Sequence, residues 1–339
     1  MKQAVMTAPG KIKIHEIERP QPGAGEVLLH IQRIGVCGSD LHVFHGQHPY
    51  TSYPVVQGHE FSAVLEALGE GVTGLEPGMK VTALPQIVCG ECGPCLRGDE
   101  HICDRLKVQG FQAPGCAQEY WVTAAEKIVP LPAAFTFDQG ALVEPVAVAV
   151  HAVARAGELA GRNVVVLGAG PIGNLVGQVA QAAGARVLIT DLSAYRLEIA
   201  RACGLANTSL AGEEPLADAV RRVFGASGFA VALECVGVEA TITAAVENIQ
   251  KGGTIIVVGV FGEKPRLDLG LVQDRELTLR GTLMYQRPDY EQAIELIASG
   301  AVVTQPLFSH HFPLEDYLQA YEFIEAQGDR TLKVLIDFL

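Results

Sequence analysis

The sequence of 339 residues predicts a two-domain α/β protein, in which a mostly-β domain accompanies a doubly wound parallel sheet. Up to about Glu144, short β-prone segments are separated by Gly and Pro. From Asn163, apolar strand-like runs alternate with alanine-rich helical segments, which is typical of a parallel sheet with helices on both faces. We expect one domain of residues 1–150 and 286–339, and a second of residues 151–285.

The elements follow from these patterns in chain order. In the first domain we expect strands at residues 1–6, 27–31, 62–67, 80–84 and 117–122. In the second domain the buried-strand runs are residues 163–167, 186–190, 229–234 and 254–258. A helix after Glu144 joins the two domains. From about Gln286 we expect helices, a strand exit at His310 and His311, and a last strand near residues 334–336.

Composition places the chain among ordinary globular proteins. Hydrophobic residues make up 49% and charged residues 19%, so a chain of this length can bury two cores. The formal net charge of −13, without a basic stripe, disfavours nucleic acid and anionic membranes as partners. No apolar run reaches spanning length, and the first residues favour a strand over a secretory signal. We therefore expect a cytoplasmic protein.

Four of the eight cysteines lie in the short segment 89–103, at Cys89, Cys92, Cys95 and Cys103. This segment is rich in Gly and polar residues, so it cannot bury a core of its own and needs a cross-link to hold its shape. The spacing predicts a closed, tetrahedral, structural zinc site. A disulfide framework is the alternative, although the other cysteines are scattered, at Cys37, Cys116, Cys203 and Cys235.

A glycine-rich turn, Gly168-Ala-Gly170-Pro171-Ile172-Gly173, follows an apolar run and opens a predicted helix. This context predicts a dinucleotide site. The glycines allow a tight turn, close approach of a pyrophosphate, and close packing of helix on strand, with the phosphates at the helix N-terminus. Turn geometry without a ligand is the alternative for an isolated glycine pattern.

The next predicted strand ends at Asp191, close to the ~20 residues expected between the first glycine and the acid that binds the adenosine ribose. A carboxylate there repels a 2′-phosphate, which favours NAD over NADP. Arg196, one helical turn further on, would partly offset that charge. Asp191 is also placed to cap the helix that follows, and the two roles are compatible.

A second group of residues able to bind a metal lies outside the cysteine-rich segment, at Cys37, His59, Glu60 and Glu144. Three mixed ligands that leave one position open distinguish catalytic zinc from structural zinc. An alcohol at that position would lose its proton near neutral pH and could release hydride to a nicotinamide. Taken singly, these residues have other interpretations: a small buried hydrophobe for Cys37, surface polar residues for His59 and Glu60, and a helix start for Glu144.

In combination these motifs resemble the zinc-dependent medium-chain dehydrogenases, almost from end to end. The motifs that stand in the family's order are Gly35-Val-Cys37-Gly-Ser39-Asp-Leu-His42, Gly58-His59-Glu60, the four cysteines, Glu144-Pro145 and the glycine turn. The resemblance implies a GroES-like catalytic domain, a Rossmann cofactor domain, two zinc ions per subunit, NAD, a small-molecule alcohol substrate, and a homo-oligomer, either a dimer or a tetramer. Cys37, His59 and Glu60 would bind the catalytic zinc, with Glu144 close by as a ligand that exchanges with water.

The resemblance also assigns a proton relay from the substrate hydroxyl to solvent to Ser39 and His42, with an ordinary loop histidine as the alternative for His42. Glu60 and the Glu144-Pro145 pair resemble the polyol branch, which includes sorbitol and 2,3-butanediol dehydrogenases. Sorbitol dehydrogenases carry an Arg-Tyr pair near the end of the cofactor domain. Here Tyr285 is kept, Met284 replaces the arginine, and Arg287 lies nearby, so Tyr285 and Arg287 are candidate substrate residues.

We therefore expect zinc- and NAD-dependent oxidation of a secondary alcohol to a ketone, on a polyol, a vicinal diol or a sugar-derived hydroxy compound. An L-threonine 3-dehydrogenase and a sugar-acid dehydrogenase of the gulonate or galactonate type are the alternatives. A non-enzymatic NAD-binding sensor would not need Cys37, His59 and Glu60 together. A zinc-stabilised interaction module would explain only the cysteine-rich segment.

Overall fold

A computed structural model of the protein describes residues 1–338. The strands are β1 (Lys2–Ala8), β2 (Lys11–Glu16), β3 (Glu26–Gly35), β4 (Glu60–Leu68), β5 (Lys80–Ala83), β6 (Gln86–Ile87), β7 (Lys107–Val108), β8 (Tyr120–Ala124), β9 (Ile128–Pro130), β10 (Asn163–Leu167), β11 (Arg186–Asp191), β12 (Asn207–Leu210), β13 (Val231–Glu234), β14 (Thr254–Val257), β15 (Thr278–Gly281), β16 (Phe308–Pro313) and β17 (Lys333–Asp337). The α-helices are α1 (Gly38–Phe44), α2 (Gly93–Leu96), α3 (Phe137–Ala141), α4 (Val143–Arg155), α5 (Pro171–Ala182), α6 (Ala194–Ala202), α7 (Leu216–Phe224), α8 (Glu239–Asn248), α9 (Leu269–Asp274), α10 (Arg287–Ala298) and α11 (Tyr317–Gln327).

The chain divides into two compact units. The first holds residues 1–144 and the chain from residue 308 onward, and the second holds residues 145–307. From the sequence we expected the chain to return to the first domain at residue 286, whereas this division places the return at residue 308. Helix α10 belongs with the second unit because Tyr290 is buried there against Tyr285, with 5.0 Å between ring centroids, and Asp289 lies 3.0 Å from Nδ1 of His151. The predicted boundary at residue 150 likewise falls inside helix α4.

The first unit is built on a mostly antiparallel sheet in the order β16-β17-β3-β4-β5-β9, with β8 also paired to β3. Strand β3 is the centre of this sheet, and its apolar side chains join a core that includes Leu29, Ile31, Phe61 and Trp121. Strand β17 comes from the C-terminal part of the chain and pairs antiparallel with β3, with Leu335 opposite Gly35. This pairing brings the residues around 333 beside the segment that leads to Cys37.

The second unit is a six-stranded parallel sheet in the order β12-β11-β10-β13-β14-β15. The strand order reverses between β10 and β13, which places a ligand crevice at the carboxyl ends of these two strands. The central strands are mostly apolar and buried, as is typical of a parallel sheet with helices on both faces. Their core includes Val165, Leu188, Phe229 and Ile255. The predicted α/β class, with a doubly wound parallel sheet beside a mostly-β unit, is confirmed.

Most predicted strands lie within two residues of the observed ones, with three differences. The strand predicted at residues 27–31 continues to Gly35. The segment predicted at residues 117–122 becomes a strand only at Tyr120. His310 and His311 lie inside β16 instead of at a strand exit, because β16 continues to Pro313 in parallel pairing with β17. Within residues 1–338, no helix is both long enough and apolar enough to cross a membrane.

Candidate active site

The four cysteines of segment 89–103 converge on one point. The Sγ–Sγ distances are 3.4 Å for Cys92–Cys95, 3.5 Å for Cys89–Cys103, 3.8 Å for Cys92–Cys103 and 4.0 Å for Cys89–Cys95. A zinc ion with Zn–S bonds of about 2.3 Å needs a sulfur tetrahedron with edges of about 3.8 Å, so the thiols fit this ion. A disulfide would need sulfurs about 2.05 Å apart, and all eight cysteines are free.

Backbone N–H groups favour a thiolate at Cys89, while desolvation and the neighbouring thiols raise the pKa of Cys95 to about 12. The amides of Cys89 and Arg105 donate to Sγ of Cys103, at 3.4 and 3.3 Å. A hydrogen bond from the backbone N–H of Glu91 lowers the pKa of Cys89 to about 6. Desolvation opposes this shift, and the backbone N–H of Cys92 lowers the pKa further. Thiolates are the form that binds a metal, and donors around the ligands hold them in place.

The second predicted set of ligands is brought together by the first unit's sheet. The Sγ of Cys37, a ring nitrogen of His59 and a carboxylate oxygen of Glu60 all lie within 4.8 Å of one another. Cys37 follows β3 and precedes helix α1, while Glu60 begins β4 directly opposite Gly35 of β3. His59 and Glu60 are buried, so their interpretation as surface polar residues is wrong.

A buried polar chain surrounds His59. Asp40 accepts a hydrogen bond from the backbone N–H of Cys37 at 3.0 Å, and its other oxygen lies 3.8 Å from Nδ1 of His59. Gln57 donates to the same oxygen of Asp40 at 3.2 Å and accepts from the hydroxyl of Tyr321 at 2.8 Å. His59 Nδ1 is buried and has no hydrogen-bond partner within residues 1–338. Asp40 lies in the motif around Cys37, yet the sequence analysis did not select it.

The electrostatics of this site favour a cation. Desolvation lowers the pKa of His59, but the charge of Asp40, the contact with Cys37 and the charge of Glu144 outweigh it, so the pKa lies well above the usual value. The negative charges that raise the pKa of His59 would also favour a bound metal ion. Glu144 lies in the first turn of α4 and acts on His59 through its charge, but it is not part of the three-residue group.

The sequence analysis missed Lys333, which contacts this group. Its Nζ lies 2.6 Å from Oε2 of Glu60, and both side chains are buried, with 3% and 1% exposure. The charges of Glu60 and Cys37 oppose the effect of burial and raise the pKa of Lys333 above its usual value. No local motif could have revealed a partner 273 residues away along the chain.

The two residues of the predicted proton relay lie on helix α1. Ser39 and His42 are three positions apart, so their side chains share one face of the helix. Ser39 is half-buried and His42 is exposed, which suits a path that leads outward. His42 therefore lies on a helix and not in a loop, and its role in a proton relay stays a prediction.

The glycine turn has the close contacts that its sequence indicates. Gly168 has φ of +99°, and a Cβ there would lie 2.6 Å from Cγ2 of Val236. A Cβ on Gly173 would lie 1.9 Å from the carbonyl oxygen of Gly168, so helix α5 packs too closely for a side chain. Gly170 caps α5, with Pro171 and Ile172 as the first helical residues. The turn leaves the N-terminus of α5 facing the crevice, as phosphate binding requires.

Asp191 is fixed beside this turn. Its two carboxylate oxygens accept hydrogen bonds from the backbone N–H of Ala169 at 2.6 Å and of Ser193 at 2.8 Å. Ser193, and not Asp191, caps helix α6, because its hydroxyl accepts from the N–H of Arg196. A carboxylate has lone pairs left for a ribose hydroxyl. The guanidinium of Arg196 lies 3.9 Å from where a Cβ of Gly170 would be, so it stands near the turn.

Exposed apolar side chains follow three strands at the same edge of the sheet. Leu192 follows β11, Val236 follows β13 and Val260 follows β14, and each is exposed. Apolar surface with a few polar groups is typical of a site for flat ligand rings. The sequence analysis did not select these residues, although an apolar side chain directly after a buried strand is a usable signal.

The two candidate substrate residues differ in exposure. Tyr285 is only 1% exposed, while Arg287 is half-buried as the first residue of α10. Met284, which stands where sorbitol dehydrogenases have arginine, has φ of +52°, a strained conformation for a residue with a side chain. Arg287 therefore has the more accessible side chain, and contact of Tyr285 with substrate stays a prediction.

Comparison with known proteins agrees with both units. Residues 23–133 match the family described as alcohol dehydrogenase GroES-like domain, and residues 171–299 match the family described as zinc-binding dehydrogenase. A 2-dehydro-3-deoxy-L-galactonate 5-dehydrogenase of Pseudoalteromonas atlantica is 38% identical, over 93% of this chain and 92% of that protein. An L-threonine 3-dehydrogenase of Idiomarina loihiensis is 33% identical, over 94% of both chains.

Solved structures give the same result. The crystal structure of galactitol-1-phosphate dehydrogenase from Escherichia coli is 31% identical, covers all of both chains and superposes with a TM-score of 0.92. The predicted family, fold and enzyme class are thereby confirmed. The chain belongs to the zinc-dependent medium-chain dehydrogenases, in their polyol dehydrogenase-like branch, and is an enzyme that uses zinc and a nicotinamide dinucleotide to oxidise a secondary alcohol.

Proposed function

We propose that this enzyme oxidises a secondary hydroxyl of a polyol or another sugar-derived hydroxy compound, with NAD as the preferred acceptor. The observation that carries the proposal is the group of half-buried Cys37 with buried His59 and Glu60, whose thiol, imidazole and carboxylate meet within 4.8 Å. A zinc ion held there supplies an electrophile that makes a substrate hydroxyl more acidic.

The chain's own residues have separate tasks in this proposal. Cys37, His59 and Glu60 hold the ion, and the charge of Asp40 acts on His59 across 3.8 Å from the side of Nδ1. Ser39 accepts the proton from the substrate hydroxyl, and His42, which is exposed one helical turn away, passes it to solvent. The four cysteines of segment 89–103 hold a second ion that stabilises their own segment.

NAD is favoured over NADP by Asp191. Its carboxylate is fixed by the amides of Ala169 and Ser193, so it cannot easily move away from a 2′-phosphate. A ribose with two free hydroxyls can donate to it instead. Arg196 offsets part of this charge, since its guanidinium stands near the turn at Gly170.

The substrate class is supported by the relatives' names, which specify a sugar acid and a sugar-alcohol phosphate. A sugar acid is the second candidate for this chain because Arg287 is half-buried, and a guanidinium binds a carboxylate through two parallel hydrogen bonds. Met284 in place of arginine makes a long neutral polyol a less favourable substrate than in sorbitol dehydrogenases.

The test measures NADH formation on sorbitol, xylitol, 2,3-butanediol, threonine, gulonate and galactonate. We expect turnover on at least one secondary alcohol of the sugar series. If a sugar acid is the substrate, Arg287→Ala should lower kcat/KM for the acid about 10- to 100-fold and leave neutral polyols nearly unchanged. Arg221→Ala, on an exposed arginine of the same unit, is the matched control. Activity confined to primary alcohols would contradict the proposal.

We also propose a cytoplasmic homo-oligomer. The eight free cysteines favour a reducing compartment. Strand β15 stands at the end of its sheet with all four residues exposed. Leu279 within the strand and Leu283 after it add apolar surface to this edge. An exposed strand edge with apolar side chains favours pairing with a second copy of the chain.

A further inference from the structure

The ion pair between Lys333 and Glu60 is the most deeply buried one within residues 1–338, at 3% and 1% side-chain exposure. Burying two charges is costly unless they are paired and hydrogen-bonded. Here the ammonium contacts Oε2 of Glu60 at 2.6 Å and the carbonyl oxygen of Val36 at 3.4 Å. Val36 is the neighbour of Cys37, so Lys333 touches the surroundings of two predicted metal ligands.

The sheet leaves room for this pair at Gly35. A Cβ at this position would lie 2.4 Å from Oε2 of Glu60 and 3.3 Å from Cδ of Lys333. Gly35 stands opposite Glu60 in β4 and opposite Leu335 in β17. Three adjacent strands therefore combine to hold one carboxylate oxygen against one ammonium.

We propose that Lys333 is a positioning residue of the metal centre, which holds Oε2 of Glu60 so that the carboxylate cannot give both oxygens to the ion. This inference rests on the metal centre of the proposed function. A carboxylate beside a dication binds it through one oxygen or through two, and the second oxygen would fill a position that substrate needs. A charged hydrogen bond to Lys333 competes for that oxygen.

The test replaces the metal with Co²⁺, whose visible absorption weakens as its coordination number rises above four. Subtracting the spectrum of Cys37→Ala removes the contribution of the four-cysteine site. In Lys333→Met we expect weaker absorption at full metal content and a kcat lower by about 10- to 100-fold. Lys333→Arg should restore both. An unchanged spectrum with unchanged kcat would overturn the inference.

A second comparison covers the case in which Lys333→Met fails to fold, because it leaves a buried carboxylate unpaired. The double variant Lys333→Met, Glu60→Gln buries no charge at this pair. If Lys333 acts through Glu60, adding Lys333→Met to Glu60→Gln should change kcat and the Co²⁺ spectrum less than about twofold. A Co²⁺ spectrum that differs between the double variant and Glu60→Gln by more than about twofold would mean that Lys333 does not act through Glu60.

Lys80→Met is the matched control, and the metal content of Cys37→Ala is a separate readout. Lys80→Met removes a lysine of β5 in the same sheet that donates to carbonyl oxygens of Ala133 and Phe135 and lies over the ring of Phe137, away from the metal ligands, so its Co²⁺ spectrum should equal that of the wild type. If Cys37→Ala leaves the metal content unchanged, the metal centre itself is wrong and both proposals fail. If Cys37→Ala removes one ion while Lys333→Met alters nothing, only the role of Lys333 fails.

Discussion

At Gly35 the chain tolerates no side chain, because a Cβ would lie 2.4 Å from the oxygen of Glu60 that contacts Lys333. We expect Gly35→Ala to displace Glu60, to lower the zinc content by up to one ion per chain, and to lower kcat about 10- to 100-fold. Metal analysis and kinetics on the purified protein measure both effects.

Gly38 provides the control for this change. It lies next to Cys37, and a Cβ there would have no heavy atom within 4 Å. Gly38→Ala should keep the full zinc content. If Gly35→Ala also keeps its zinc and its kcat, the close contact at Gly35 has no bearing on the metal centre.

Asp191 is the residue from which cofactor choice can be tested. Asp191→Asn removes the charge but keeps an acceptor for one of its two backbone donors. We expect the ratio of kcat/KM for NADP to that for NAD to rise about 10- to 100-fold. The variant loses the charged hydrogen bond to the ribose of NAD, and it no longer repels the 2′-phosphate of NADP. Glu198→Gln, the same charge change at an exposed site of α6, should leave the ratio unchanged. A wild-type preference for NADP would show that Arg196 outweighs Asp191.

The residues that could be predicted from the sequence are those whose partners are close along the chain. The four cysteines of segment 89–103 and the glycines of the turn at Gly168 form sites through local spacing alone. Lys333 could not be predicted, since it reaches Glu60 only through the pairing of β17 with β3. The burial of Asp40 also depends on packing that no periodicity records.

Among the elements, the cysteine-rich segment depends most on a ligand. It contains only the four-residue helix α2 and a 3-10 turn, and it adds little to either hydrophobic core. Cys92→Ser should remove one zinc ion per chain and lower the free energy of unfolding by about 4 kcal/mol when free zinc is a thousandfold above its dissociation constant. Metal analysis and urea unfolding test this.

Cys203 is the control for the cysteine-rich segment, because it is a buried thiol of the second unit and belongs to no metal-binding group within residues 1–338. Cys203→Ser should retain both ions. Two zinc ions in Cys92→Ser, together with unchanged unfolding, would mean that the segment holds its shape without a metal.

The link between β12 and α7 carries a pH-dependent contribution to stability. Hydrogen bonds from Arg222 and Ser209 lower the pKa of Glu214 to about 2. A carboxyl whose pKa is lowered by folding stabilises the protein above its unfolded pKa of about 4.3 and loses that effect as the pH falls toward 2. Glu214→Gln should therefore cost less than about 1 kcal/mol at pH 7, since the pair is partly exposed.

Urea unfolding of wild type and Glu214→Gln across this pH range gives the difference directly. It should shrink steadily below a pH of about 4.3. Glu213→Gln, at the exposed neighbour, should show no such trend. A difference between wild type and Glu214→Gln that stays constant with pH would contradict the role given to the carboxylate.

At the scale of the whole molecule, the first unit combines distant parts of the chain, while the second is one continuous stretch. The first unit needs β16 and β17 from the C-terminal part to complete its sheet. The sequence predicted that return but placed it at residue 286, because the change of pattern after β15 indicates where the sheet ends and not where α10 packs. The burial of Tyr290 places α10 with the second unit, and this burial depends on contacts that form only in the folded chain.

The edge strand β15 supports a last prediction, which concerns assembly. Its residues Thr278–Gly281 pair with β14 at the end of the sheet and are exposed, and the apolar Leu279 lies in the middle of the strand. A second copy offers the same edge, so two sheets can join through a twofold axis. Light scattering should give at least twice the mass of one chain. Leu279→Lys should shift the protein toward monomers, since a lysine on an edge strand opposes pairing. Leu269→Lys, at an exposed leucine of α9, should not. A wild-type mass of one chain at micromolar concentration would show that this edge stays unpaired.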